Sequence, residues 1–185
     1  MGAHGPAAEN ARAACGDAAW QPNPTLILDS CSARANRGGD LTGRNPTDRG
    51  TRGTEYHVAV NTDGVPVACV ATAADVNNIV LFERLFLAAF AVMAPIRNVF
   101  ADCGYDAKGN RAPCRSFGPV PHIHKRRQPD GSSLGQQRWP VERGDAWLLE
   151  NKRLALRHDR LGFIVQALLQ TVCVLLVTGC LAREL

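Results

Sequence analysis

Three acidic residues stand in settings suited to phosphodiester chemistry. Asp29 ends the apolar run Thr25-Leu26-Ile27-Leu28, and Asp102 ends the run Val99-Phe100-Ala101. Glu142 follows Pro140 and Val141 at the head of a stretch of good helix formers. Proline suits the first turn of a helix, so Glu142 is expected in that turn, favoured there by the helix dipole and able to point into a cleft. Two strand-terminal aspartates and one helical glutamate give a donor set of hard oxygens, which selects Mg2+ or Mn2+ over softer metals. Two such ions can serve the cutting and joining of phosphodiesters, one activating the attacking oxygen and one stabilising the leaving oxygen. Taken singly, each acid has a plainer use: the aspartates can cap turns, and Glu142 can partner the dipole.

The flanking residues turn three isolated acids into a pattern. Leu28-Asp29-Ser30, the block from Ala101 to Ala107 and the block from Arg138 to Leu148 resemble the DDE transposases of bacterial insertion sequences. Two further segments fit the same register, Arg34-Ala35-Asn36-Arg37-Gly38-Gly39 and Gly53-Thr54-Glu55-Tyr56-His57. The resemblance runs over residues 25–183. It implies an α/β chain of the ribonuclease-H-like fold, a mixed central sheet flanked by helices. Asp29, Asp102 and Glu142 would be both the catalytic and the metal-holding residues, with Mg2+ or Mn2+ as cofactor. The implied activity is DNA strand cleavage and transfer in transposition and recombination. The implied partners are DNA, as insertion-sequence ends and target, and a second copy of the chain in a homodimer, in the bacterial cytoplasm and on the nucleoid when DNA is bound. Arg138 lies one turn before Glu142, where the family often has an arginine that touches DNA phosphate.

The chain also departs from the family. Gly135 and Leu149 stand where a tyrosine and a basic residue are usual, and Asp145 stands in place of an apolar or aromatic residue. An acid at such a position costs burial energy unless it is paired. Only 24 residues precede Thr25, with no helix-turn-helix pattern. The expectation is therefore a truncated copy with reduced or no activity. Two other readings remain: a non-catalytic remnant that binds DNA or the intact transposase, and a ribonuclease-H-like nuclease that cleaves without joining.

Charge adds a DNA-binding expectation. Lysine and arginine number 21 against 17 acids, a formal charge of +4, which is compatible with nucleic acid without requiring it. The distribution says more. Arg34, Arg37, Arg44, Arg49 and Arg52 face only Asp40 and Asp48, and His124-Lys125-Arg126-Arg127 precede Arg138 and Arg143. Both clusters fall in loops beside the acids, so Arg34, Arg37, Arg52, Lys125, Arg126, Arg127, Arg138 and Arg143 are candidate DNA contacts, the alternative being ordinary solvated charge.

Other classes find less support. The seven cysteines include no C-x-x-C pair and read as buried thiols in a reducing cytosol. Cys103, Cys114, His122 and His124 match the spacing of no common zinc module. Nothing points to a small-molecule cofactor. Residues 161–182 are long and apolar enough to span a bilayer, but Gln166, Gln170, Thr171 and Thr178 interrupt them. A core helix packed on a sheet is expected there, and no membrane.

The elements that must position the acids follow from periodicity. Residues 1–24, rich in Ala, Gly and Pro, are expected to be poorly ordered. Residues 25–29 read as a strand, followed to about residue 53 by a loop that is the least foldable part of the domain. Tyr56, Val58 and Val60 share one face of a second strand, Asp63-Gly64 turns the chain, and residues 65–72 return as a third. Asp75 or Asn77 can cap a helix with an apolar stripe through Phe82, Leu85, Phe86 and Ala89, stopped by Pro95. Residues 97–101 form a strand delivering Asp102, residues 106–117 an irregular helix broken by Pro113, and residues 119–124 a last strand. Helices at 140–158 and 160–182 close the domain.

Overall fold

The computed structural model describes residues 25–93, 95–126 and 134–184; the expectation of disorder over residues 1–24 lies outside them. Six strands form one mixed sheet. These are β1 (Thr25–Arg34), β2 (Gly43–Arg44), β3 (Arg52–Val60), β4 (Pro66–Ala73), β5 (Asn98–Ala101) and β6 (Val120–Ile123). The order runs β2-β3-β1-β5-β6, with β4 also paired to β3. Pairing is antiparallel among β1, β3 and β4 and parallel from β1 through β5 to β6. The helices are α1 (Phe82–Met93), α2 (Arg111–Phe117), α3 (Leu134–Glu150), α4 (Lys152–Ala155) and α5 (Gly162–Glu184).

Alternation along β1 sorts the core into two layers. Leu26 and Leu28 face one side, where Val99 and Ala101 of β5 join Phe82, Leu85, Phe86, Ala89 and Met93 of α1. Ile27 faces the other, with Tyr56, Val58, Val60 and Phe100 against Val141 and Leu148 of α3 and Val165, Leu169 and Val172 of α5. Side chains two apart on a strand share a face. Asp29 therefore continues the Ile27 side, toward α3, as does Cys31, which packs on that layer.

Several local expectations hold. Asn77 accepts from the Ile79 amide and caps a 3-10 turn (Asn78–Leu81) that runs into α1. The Asn61–Gly64 turn joins β3 to β4; Asn61 Oδ1 accepts from the Asp63 and Val65 amides, and Gly64 adopts φ +79°. A Cβ on Gly64 would also meet the Arg143 guanidinium and the Pro140 carbonyl, so α3 can approach the hairpin only because no side chain intervenes.

Others are corrected. Strand one does not stop at residue 29 but runs to Arg34, because Ser30 to Arg34 pair in register with Gly53 to His57 of β3. The following segment is not loosely folded. Arg157, only 2% exposed, donates to the carbonyls of Asp40 and Leu41 and to the hydroxyls of Thr42 and Thr54. Asn45 is also buried, donating to Ser32 Oγ while its own oxygen takes the Thr47 amide. Pro113 lies inside α2 without breaking it. Pro140 lies inside α3 rather than at its start. Glu142 is therefore in mid-helix, where the dipole effect expected of a first turn has faded. The first closing helix, expected over 140–158, is broken at Asn151 into α3 and α4, with Asn151 capping α4, while the second is the single helix α5. α5 is long and apolar enough to cross a membrane, yet it is a core helix along one stripe only: Val165, Leu169, Val172 and Cys173 are buried while Phe163, Val174 and Leu175 are 60–71% exposed.

Candidate active site

The parallel pairing of β1 with β5 sets Leu28 beside Ala101, so the next residues, Asp29 within β1 and Asp102 just past β5, emerge together where β5 ends. They are near enough that the Asp102 charge raises the Asp29 pKa. Burial raises it more, while the Arg138 guanidinium and the Ser30 amide act against both. Asp29 Oδ1 accepts from the Ser30 amide at 2.9 Å, and Oδ2 accepts from Arg138 Nη2 at 2.6 Å. Asp102 caps the short 3-10 turn Cys103–Tyr105, its Oδ1 accepting from the Gly104 amide at 2.9 Å.

α3 crosses this end of the sheet through contacts with β1 and β5. It brings three groups: Arg138 onto Asp29, Glu142 on an exposed position, and Asp145 against Cys31. Asp145 is pushed up to about 7, first by burial and then by the Asp29 charge, with the Cys31 thiol and Arg138 pulling the other way. Its Oδ1 is buried with no hydrogen-bond partner among the described residues. Burial and the Asp145 carboxylate in turn push the Cys31 thiol up.

Behind Asp29, on the α1 side, lies a polar network that sequence reasoning did not single out. Ser30 Oγ donates to Glu55 Oε1 at 2.7 Å and accepts from Asn78 Nδ2 at 2.8 Å. Glu55 is raised by burial, opposed by bonds from Ser30 and Asn78, and raised again by the charges of Asp102 and Asp29. Tyr105 Oη donates to the Asp29 carbonyl at 3.3 Å and lies 3.3 Å from His57 Nδ1, whose Nε2 is 2.9 Å from Thr72 Oγ1. Burial alone pushes His57 down to about 4, so it is neutral at physiological pH. The strand alternation that sends Tyr56 and Val58 to one layer sends Glu55 and His57 to this one. That signal was present, but nothing local named their partners.

The candidate DNA contacts fall into distinct settings. Arg34 forms a two-pronged pair with Asp48, at 2.7 and 2.9 Å. Arg37, in the β1–β2 connection, and Arg52, at the start of β3, are exposed. Lys125 is exposed, and Arg126 Nε donates to the Cys103 carbonyl at 3.1 Å, next to Asp102. Arg127 lies outside the described residues. Arg143 sits over the rings of Trp139 and Trp147, 4.3 and 4.8 Å from their centroids, and donates to the Asp63 carbonyl at 2.6 Å. It braces α3 against the hairpin.

The donor set around Asp29 and Asp102 has the hard-oxygen chemistry of a Mg2+ or Mn2+ site, and these two carboxylates converge. Among the described residues no three His, Cys, Asp or Glu side chains are gathered tightly enough to hold an ion as they stand. A guanidinium, not a third carboxylate, contacts Asp29.

The sequence profile of the family described as "Transposase DDE domain" matches residues 20–177. A putative transposase for insertion sequence element IS402 from Burkholderia cepacia is 38% identical over 153 residues, covering 77% of this chain and 71% of that protein. Two solved structures are similar in fold at low identity. One is a chain of the simian T-cell lymphotropic virus intasome in complex with PP2A regulatory subunit B56 gamma, with TM-score 0.52 and 15% identity over 82% of this chain and 47% of that one. The other is piggyBac transposase in a synaptic complex with hairpin DNA, with TM-score 0.50 and 8% identity over 89% of this chain and 49% of that one. This chain thus spans about half the length of each. Parallel strands that bring Asp29 and Asp102 together on a ribonuclease-H-like sheet, a profile match over most of the sequence and a relative at this identity agree: the chain belongs to the transposase DDE domain family of insertion elements.

Proposed function

We propose that the chain is a polynucleotidyl transferase that cleaves and joins DNA strands of an insertion element, with Asp29, Asp102 and Glu142 as its catalytic acids. The observation that carries this reading is the convergence of Asp29, within β1, and Asp102, just past the end of the parallel β5, with α3 laid across them. Asp29 and Asp102 would hold Mg2+ or Mn2+, and Glu142 would complete the donor set as α3 settles onto DNA. The metal supplies charge stabilisation at the phosphorus and a more acidic attacking hydroxyl. The chain's own residues do the rest. Ser30 and Tyr105 fix the backbone and carboxylate of Asp29, Gly104 fixes Asp102, and Arg126 and Arg138 offer donors to phosphate beside them. DNA at the element's ends and target, a paired second copy and a cytoplasmic setting belong to the same proposal.

One feature favours the inert-remnant reading: a buried Asp145 with an unpartnered oxygen beside Asp29, while Glu142 is exposed. A labelled duplex carrying element ends separates the possibilities. Mn2+-dependent nicking and strand joining, both abolished by Asp29→Asn and by Asp102→Asn, are expected. Nicking without joining would mark a nuclease, and DNA retention without either product would mark the remnant.

A further inference from the structure

The Arg138–Asp29 pair differs from the exposed Arg34–Asp48 pair. Arg34 grips Asp48 with two nitrogens on two oxygens. Arg138 gives Asp29 a single contact, Nη2 to Oδ2, while Oδ1 accepts the Ser30 amide. Its Nε is buried and has no partner among the described residues. Both side chains are largely enclosed, 18% and 14% exposed, so the pair is little screened by water. A guanidinium that keeps an unmet buried donor gains by meeting a group that accepts two parallel bonds, and phosphate is such a group. A divalent cation at Asp29 would compete with Arg138 for Oδ2, and two cations on one oxygen repel strongly.

We propose that Arg138 is a latch on Asp29, holding the carboxylate in the DNA-free chain and moving to a DNA phosphate when the duplex arrives, so that DNA and divalent metal bind cooperatively through this one side chain. The proposal rests on the reading of Asp29 and Asp102 as the metal-holding pair. Linkage makes the coupling reciprocal: whatever factor DNA adds to metal affinity, metal adds to DNA affinity. Arg138 is here a positioning residue that competes with metal, opposite in sign to a residue that merely supports the site.

The test is Mn2+ binding to the whole chain by titration calorimetry at pH 8, with and without a duplex oligonucleotide. Arg138→Gln removes the competitor and leaves the enclosed carboxylate unpaired. It should therefore bind Mn2+ about tenfold more tightly than the parent without DNA, the equivalent of one charged hydrogen bond. The duplex should raise the parent's Mn2+ affinity well above its effect on this variant. Arg138→Lys, which keeps a cation but not the planar fork, provides a second measure should the glutamine variant not fold. Its Mn2+ affinity should stay near the parent's while the coupling to DNA falls. Unchanged or weaker Mn2+ binding in Arg138→Gln, or parental coupling in Arg138→Lys, overturns the latch while leaving the metal pair intact if Asp29→Asn still abolishes binding. Absence of any Asp29-dependent Mn2+ binding, with or without DNA, overturns the acid-pair reading and the latch together.

Discussion

Asp145 is the residue whose chemistry most conflicts with its place. It lies on the core side of α3 against Cys31, and its pKa is pushed up to about 7 by burial and by Asp29. A carboxyl raised in the folded state contributes most to stability below its unfolded value near 3.8, and that contribution is lost as pH rises through 7. Asp145→Asn, which cannot ionise, should therefore gain on the parent as pH rises. We expect urea denaturation to show the variant's advantage larger at pH 8 than at pH 5 by about 3 kcal/mol at most, one pKa unit being worth about 1.4 kcal/mol. An advantage equal at both pH values would count against a charged, buried Asp145. His57, held down to about 4, has the opposite sign, its contribution being lost as pH falls from 6.5 toward 4. It is common to parent and variant, so it cancels in the comparison.

At the level of elements, two interactions across long sequence separations decide what is rigid. Arg157, just after α4, carries the carbonyls of Asp40 and Leu41 and so fastens the β1–β3 connection. Arg157→Met would leave those acceptors enclosed and unmet. It should cost about 3 kcal/mol, at 1–3 kcal/mol for each unsatisfied group, and open residues 36–50 to limited proteolysis. Normal stability with the segment still protected would refute that role. α5 makes its contribution along one stripe. Leu169→Ala, fully buried, should cost about 2–4 kcal/mol. Leu175→Ser, 60% exposed, should stay within about 0.5 kcal/mol of the parent. Comparable destabilisation from both would mean that the outer face of α5 is covered in solution.

For the whole molecule, the basic residues divide by what already holds them. Lys125 is exposed, and Arg126 stands beside Asp102. Neutralising both should flatten the dependence of log DNA affinity on log salt by about 2, close to one for each phosphate that is no longer neutralised. Arg143, stacked on Trp139 and Trp147 and bonded to the hairpin, should lower the melting temperature when replaced by alanine, with little change in the salt slope. A slope change as large as that from Lys125 and Arg126 would return Arg143 to the DNA surface. What the sequence determined by itself is what local pattern encodes. The apolar runs ending in Asp29 and Asp102, the alternation of Tyr56, Val58 and Val60, the turn at Asp63-Gly64 and a cap at Asp75 or Asn77 were all legible, since each depends on neighbours within a few residues. The family blocks likewise carried the order of the acids. Tertiary structure alone decided the rest. Pairing with β3 extends β1 to Arg34, α3 begins before Pro140, and Arg157 closes on a segment more than one hundred residues earlier in the chain. Arg138 finds Asp29 across a comparable separation, and Asp145 finds an enclosed thiol. A charge in sequence has no partner and no dielectric until the sheet and α3 close around it, and those two quantities set what each acid and each arginine does.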